Sequence, residues 1–136
     1  MSQINVNLWA VLVAAIVQMA IGFAWYSKAL FGAKWLALIG KTEEDMKKGG
    51  SMGKVMGLSF VSSLIMAYVL AHVLFLIDAT TVTMGLQAGF WLWLGFVATT
   101  SFMKVLYEHR SKKLYLIDVG YYLVCMLAMG AILAAW

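Results

Sequence analysis

Four apolar runs of about 20 residues each set the folding problem for this chain, because at about 1.5 Å of rise per residue a helix of that length crosses a hydrocarbon core of about 30 Å. Charged side chains make up 12% of the sequence and apolar ones 64%. The charges gather into two short stretches instead of lining one face of every helix, which excludes a soluble bundle: most of its helical surface would have nothing polar to turn toward water. In lipid the backbone must satisfy its own polar groups, and for runs of this length that means helices. The expected fold is all-α, an integral membrane four-helix bundle occupying residues 1–136 as a single domain.

The first span runs from about Leu8 to Tyr26. No Lys or Arg precedes it and it is too long for the core of a cleavable signal peptide, so it reads as a retained span. Trp9 marks one edge and Trp25 with Tyr26 the other, where amphipathic rings favour the headgroup level. Between Ser27 and Lys54, Phe31, Trp35 and Leu38 recur at helical spacing among Lys28, Lys34 and Lys41, the pattern of a short helix lying in the interface. Thr42 ahead of Glu43, Glu44 and Asp45 forms a capping-box arrangement, and Gly49 with Gly50 stops the short helix. The second span, from about Ser51 to Ile77, takes Ser51 as its N-cap and ends at Asp78. The turn from Asp78 to Thr83 is short enough to force an antiparallel hairpin with the third span, about Met84 to Leu106. The fourth, about Leu114 to Trp136, follows a cluster of Glu108, His109, Arg110, Lys112 and Lys113.

All ten Lys and Arg residues lie in or beside the first and third connections. Loops rich in Lys and Arg stay cytoplasmic, so both termini are expected outside and the basic connections are expected against anionic inner-leaflet lipids. Those loops are short and lie against the membrane, which suits lipid better than nucleic acid. The asymmetry also argues against small transporters that insert in both orientations. The chain has no proline, so no span carries the break common in discontinuous transporter helices. Small residues recur every four positions at Ala10, Ala14 and then Gly22, at Ser59, Ser63, Ala67 and Ala71, and at Gly85 and Gly89, ladders that let helices approach closely.

Gln18 shares the register of Ala14 and Gly22, so its amide points into the packing, either as an interhelical hydrogen bond or as a pore-facing group. Ser59, Ser62, Ser63, Thr99, Thr100 and Ser101 lie at similar depth or nearer the cytoplasm, and together with Gln18 they define a candidate polar seam. Hydroxyls of this kind also bond their own helix backbone. At the cytoplasmic edge, Lys104, Glu108, Arg110 and Asp118 define an ion-pair cluster that either pins the third connection or forms an anion-attracting mouth. Tyr68 and His72 on the second span, with Trp91 and Trp93 on the third, define a candidate outer-half pocket of quinone size, although aromatics there also serve packing and lipid contact. His72 and His109 are separated by the bilayer. The single cysteine, Cys125, permits no intrachain disulfide and no zinc cluster. No nucleophile with a base, no phosphate loop and no metal-ligand cluster is present, so neither catalysis nor a cofactor is expected.

The order of short motifs carries a resemblance: Asn7-Leu8-Trp9-Ala10-Val11-Leu12-Val13-Ala14, Gly22 with Trp25-Tyr26, Phe31-Gly32 with Trp35, Ala71-His72, Trp93-Leu94-Gly95-Phe96, Glu108 with Arg110, Ile117-Asp118 with Gly120-Tyr121, and Gly130-Ala131-Ile132-Leu133 with Trp136. Over nearly its whole length the chain resembles the small four-helix membrane proteins of the domain-of-unknown-function 1761 family. That resemblance implies four spans and supplies neither a reaction nor a cofactor. The family's polar motif residues coincide here with His72, Glu108, Arg110 and Asp118. Members often carry a proline after the Trp-Tyr pair, where this chain has Ser27-Lys28-Ala29, which implies a less sharply bent exit from the first span. The functional expectation is a homo-oligomeric transport or permeation unit for a small solute or ion. The alternatives are a non-catalytic scaffold or accessory subunit, and a membrane-embedded lipid or quinone binding protein.

Overall fold

A computed structural model of the protein describes residues 4–48 and 52–136. Helix α1 is Leu8–Trp25, α2 Gly32–Ile39, α3 Glu43–Lys48, α4 Met52–Leu76, α5 Val82–Leu92, α6 Thr99–Glu108 and α7 Lys112–Ala135, with a π-helical turn, Trp93–Ala98, joining α5 to α6 without interruption. Four helices are long and apolar enough to span a membrane: α1, α4, the composite Val82–Glu108 and α7. The expected all-α four-span fold is the observed one. The stop at Gly49-Gly50 and the N-cap at Ser51 lie outside the described residues.

Local chemistry explains the ends. The Asn7 side chain accepts the amides of Trp9 and Ala10 and starts α1. Its exit is sharply turned even without proline: the Phe31 amide reaches the Trp25 carbonyl at 3.0 Å and the Gly32 amide the Ser27 carbonyl at 2.9 Å. A Cβ at Gly32 would collide with the backbone of Tyr26 and Ser27, so glycine supplies the tight turn. The short interfacial helix is in fact two helices. Gly40, at φ 73°, closes α2 while Lys41 donates back to Leu36. Thr42 and Asp45 then exchange reciprocal bonds at the start of α3, the Thr42 amide to Asp45 Oδ2 and the Asp45 amide to Thr42 Oγ1. The Thr42 amide, and after it the hydroxyl, hold the Asp45 carboxyl below its usual range. Asp78, at φ 54°, ends α4 with the Ala79 amide on Leu74, and Thr81 caps α5.

The four spans alternate in direction, and α7 is the element that the others share. It packs most extensively on α5, then on α1 and α4, while α1 also packs on α4. This revises the expected hairpin: α4 and α5 are antiparallel and joined by a short turn, yet each takes its packing from α1 or α7 and the two share no extended contact. The reason is the residue sizes at the seams. Gly85 and Gly89 of α5 are buried, and a Cβ on either would collide with the Gly130 or Met126 carbonyl of α7, so the two backbones touch. Ala14 of α1, Ala67 of α4, and Cys125 with Met129 of α7 close the centre with essentially no exposure. Of the small-residue ladder on α4, Ser63 and Ala67 face this centre while Ser59 does not.

The α5–α7 contact makes a sharp prediction. Gly89→Ala forces two backbones apart and is expected to cost about 1–3 kcal/mol, the usual range for overpacking. Gly57→Ala, whose new Cβ meets no neighbour within 4 Å, is expected to leave stability unchanged or raised. Thermal unfolding of the two purified variants in one detergent checks this, and equal midpoints would refute the close-packed seam.

Candidate functional site

Three consecutive residues near the start of α7 each receive a hydrogen bond from another helix. The Trp25 indole donates to the Ile117 carbonyl at 3.0 Å, the Tyr26 hydroxyl to Asp118 Oδ1 at 2.6 Å, and the Trp93 indole to the Val119 carbonyl at 2.7 Å. Ile117 and Val119 are buried and Asp118 is half-buried. The Trp25-Tyr26 pair, expected as a headgroup marker, is therefore turned inward: its polar atoms find partners on α7. Two further hydroxyls reinforce the node, Tyr121 donating to the Gln18 carbonyl at 3.2 Å and Tyr115 to the Ala98 carbonyl at 2.8 Å.

The Ala98 carbonyl belongs to the π-helical turn, which the sequence reading did not anticipate. In such a turn the ladder shifts from the i+4 to the i+5 amide, and such turns are frequent at functional sites. Local hydroxyls support it: Thr99 Oγ1 donates to Gly95 at 2.7 Å and Thr100 Oγ1 to Phe96. Gly95 followed by two adjacent threonines at i+4 and i+5 is the signal that could have disclosed it.

At the basic end of the bundle, the node opens into a cavity of about 280 Å³. Tyr26 and Trp35 line it from the α1–α2 side, Ser101 and Lys104 from α6, Arg110 from the following turn, and Asp118 with Tyr115 and Tyr122 from α7. Tyr26 meets both Trp35 and Tyr121 edge-on, with ring centroids 5.3 and 5.4 Å apart, so that wall is fixed by packing. Of the predicted cluster, Lys104, Arg110 and Asp118 share the cavity, and Glu108 pairs with Arg110 at 3.4 Å on the exposed rim. Asp118 is held by a tyrosine hydroxyl, a partner absent from the expected ion-pair network.

The other two constellations are not assembled. Of the candidate seam, Gln18 and Ser63 are buried, whereas Ser59, Ser62, Thr99 and Thr100 are exposed and Ser101 belongs to the cavity. The threonine hydroxyls are taken by their own helix, so three spans do not combine them into one line. Among the described residues Gln18 Oε1 is buried without a hydrogen-bond partner, and the interhelical bond there is made by the Gln18 main-chain carbonyl. Tyr68 and His72 contact each other within α4, with ring centroids 4.4 Å apart. Trp91 is mostly exposed on α5 and Trp93 is bonded to α7. These four aromatics sit on helices that share no extended contact, so they do not form the outer-half pocket.

Four membrane-spanning helices tied together through the last one define a small polytopic membrane protein. The DUF1761 family model, described as a protein of unknown function, matches residues 9–134, and the chain belongs to that family. No curated protein and no solved structure matches it.

The Tyr26–Asp118 bond is testable by a double-mutant cycle of Tyr26→Phe and Asp118→Asn. A coupling of about 1–2 kcal/mol is expected, near the upper end for membrane bundles and in keeping with a short bond to a carboxyl group. Thermal unfolding of the four proteins measures it, and additive effects would mean that the two groups do not act on each other.

Proposed function

We propose that the protein is a non-catalytic, membrane-embedded binding module that takes a small organic anion into the cavity at its basic end. The observation that carries this reading is the cavity lining. Lys104 makes no ion pair among the described residues, Arg110 stands beside it, and Ser101 and Tyr122 add hydroxyl groups. An anion held there gains the Lys104 ammonium and a share of the Arg110 guanidinium, whose own partner Glu108 lies on the exposed rim. Asp118 disfavours a bare multiply charged anion and favours one that also offers a hydroxyl or amine donor. Trp35, Val105 and Leu114 provide apolar walls for its carbon skeleton. The class that fits is a small carboxylate or phosphate bearing such a donor. By the positive-inside rule this end faces the cytoplasm and both termini face out, so the ligand enters from the cytoplasm.

Titrating the solubilised protein with lactate, glutamate and glycerol phosphate, with glycerol as the uncharged control, tests the reading by thermal shift. At least one anion is expected to stabilise saturably, with affinity about tenfold weaker in Lys104→Gln, which corresponds to about 1.4 kcal/mol. Stabilisation by none of the three, or an unchanged affinity in the variant, would overturn it.

A second reading, permeation through an oligomer, draws on Ser59 and Ser62. Both are exposed on α4, where a second copy of the chain would enclose them. Proteoliposomes are then expected to pass labelled glutamate or lactate, and flux is expected to fall at least severalfold in the Ser59→Leu/Ser62→Leu variant. Equal leakage in empty and loaded vesicles would eliminate this reading.

A further inference from the structure

On the other side of the α1–α7 seam, back to back with the cavity, lies an open groove of about 270 Å³ lined by Trp25, Phe31, Lys34, Lys113, Leu116 and Ile117. We propose that this groove binds an anionic two-chain phospholipid of the surrounding leaflet, its phosphate bridging Lys34 and Lys113. Three observations converge on that occupant.

The groove has two cations and no carboxylate in its lining, and neither lysine makes an ion pair among the described residues. By contrast, Lys28 nearby is paired with Glu43 at 3.0 Å, and the neighbouring cavity contains Asp118. The charge complementarity therefore favours an anion, and juxtamembrane lysines attract anionic lipid. The floor is apolar and preformed: the Trp25 indole is bonded to the Ile117 carbonyl, and Phe31 packs on Trp25 with ring centroids 4.8 Å apart. Finally, Leu116 is 64% exposed one helical turn inward from Lys113, which continues the groove from the cationic rim onto the lipid-facing surface of α7. A headgroup at the lysines thus leaves its acyl chain lying along the helix. A small soluble anion leaves the lipid-facing extension of that floor at Leu116 uncovered, whereas an acyl chain covers it, so the groove and the cavity select different ligands.

Native mass spectrometry of the full chain, released from micelles holding equal amounts of phosphatidylglycerol and phosphatidylcholine, tests the assignment. The unaltered protein is expected to retain one phosphatidylglycerol in preference to phosphatidylcholine. Lys34→Gln/Lys113→Gln is expected to lower that preference about tenfold, with phosphatidylcholine retention and the unfolding midpoint in pure phosphatidylcholine unchanged. Lys28→Gln, outside the groove, is expected to behave as the unaltered protein. Equal retention of the two lipids, a preference that survives in the double variant, or a protein dimer appearing in place of the lipid adduct would each overturn the proposal. Excess glycerol phosphate is expected not to displace the lipid, and displacement would assign the site to a free phosphate instead.

Discussion

The carbonyls of Ile117 and Val119 and the carboxyl between them are the point on which the structure turns. Helices in lipid have little reason to associate beyond dispersion, close backbone approach and the few hydrogen bonds they exchange, since the surrounding acyl chains are as apolar as leucine. In this chain, α1 and the third span place aromatic donors on the same short stretch of α7. Each indole or hydroxyl that meets a partner on α7 is satisfied inside the bundle at a definite position. These bonds therefore set the rotation and depth of two spans relative to the fourth. The small residues at Gly85, Gly89 and Gly130 then allow α5 and α7 to approach until their backbones touch.

The π-helical turn lies between these two constraints. Close packing at Gly85 and Gly89 fixes α5, while Trp93 and Tyr115 bind the span and α7 to each other on either side of the turn. A regular α-helix must satisfy both with one fixed angle per residue. Widening a single turn changes the angular position of everything after it by much of a residue step, and this carries Ser101 and Lys104 round to the cavity. The turn thereby links the packing at one end of the span to the chemistry at the other.

How much of this was legible beforehand follows from the physics of each signal. Span number, approximate ends, the Thr42–Asp45 cap and the packing role of Gly85 and Gly89 rest on local or strongly periodic patterns, and all appear in the fold. The π turn leaves no mark in the hydrophobic pattern, and its one local sign, Gly95 followed by Thr99 and Thr100, is weak because threonines also bond the backbone of ordinary helices. The inward direction of Trp25 and Tyr26 was hidden for another reason: an interfacial aromatic and a buried one at a helix end are the same letters, and only the partner at Asp118 separates them. The polar seam does not assemble because sequence depth does not specify azimuth; Ser62 and Ser63 are adjacent on one helix, yet only Ser63 is buried. At the basic end the expected ion-pair network omitted Tyr26, the hydroxyl partner of Asp118, because a hydroxyl carries no charge to be counted.

Charge asymmetry along such a chain is usually read as an orientation signal and nothing more. The distribution of basic side chains at this end argues that the same residues serve two purposes. If orientation were their whole role, their placement relative to one another would be free, and pairing with carboxyl groups would neutralise many of them at no loss of structure. Instead Lys28 is paired on the surface and Arg110 is paired at a rim, while Lys104 stands in a cavity and Lys34 with Lys113 flank an apolar groove. None of these three lysines is buried: Lys34, Lys104 and Lys113 are all exposed. Their long stems carry the charge to the surface while lying beside the apolar walls. Lys34, Lys104 and Lys113 therefore offer cations at the rims of the cavity and the groove, where an anion can reach them, with the node at Ile117, Asp118 and Val119 between the two sites.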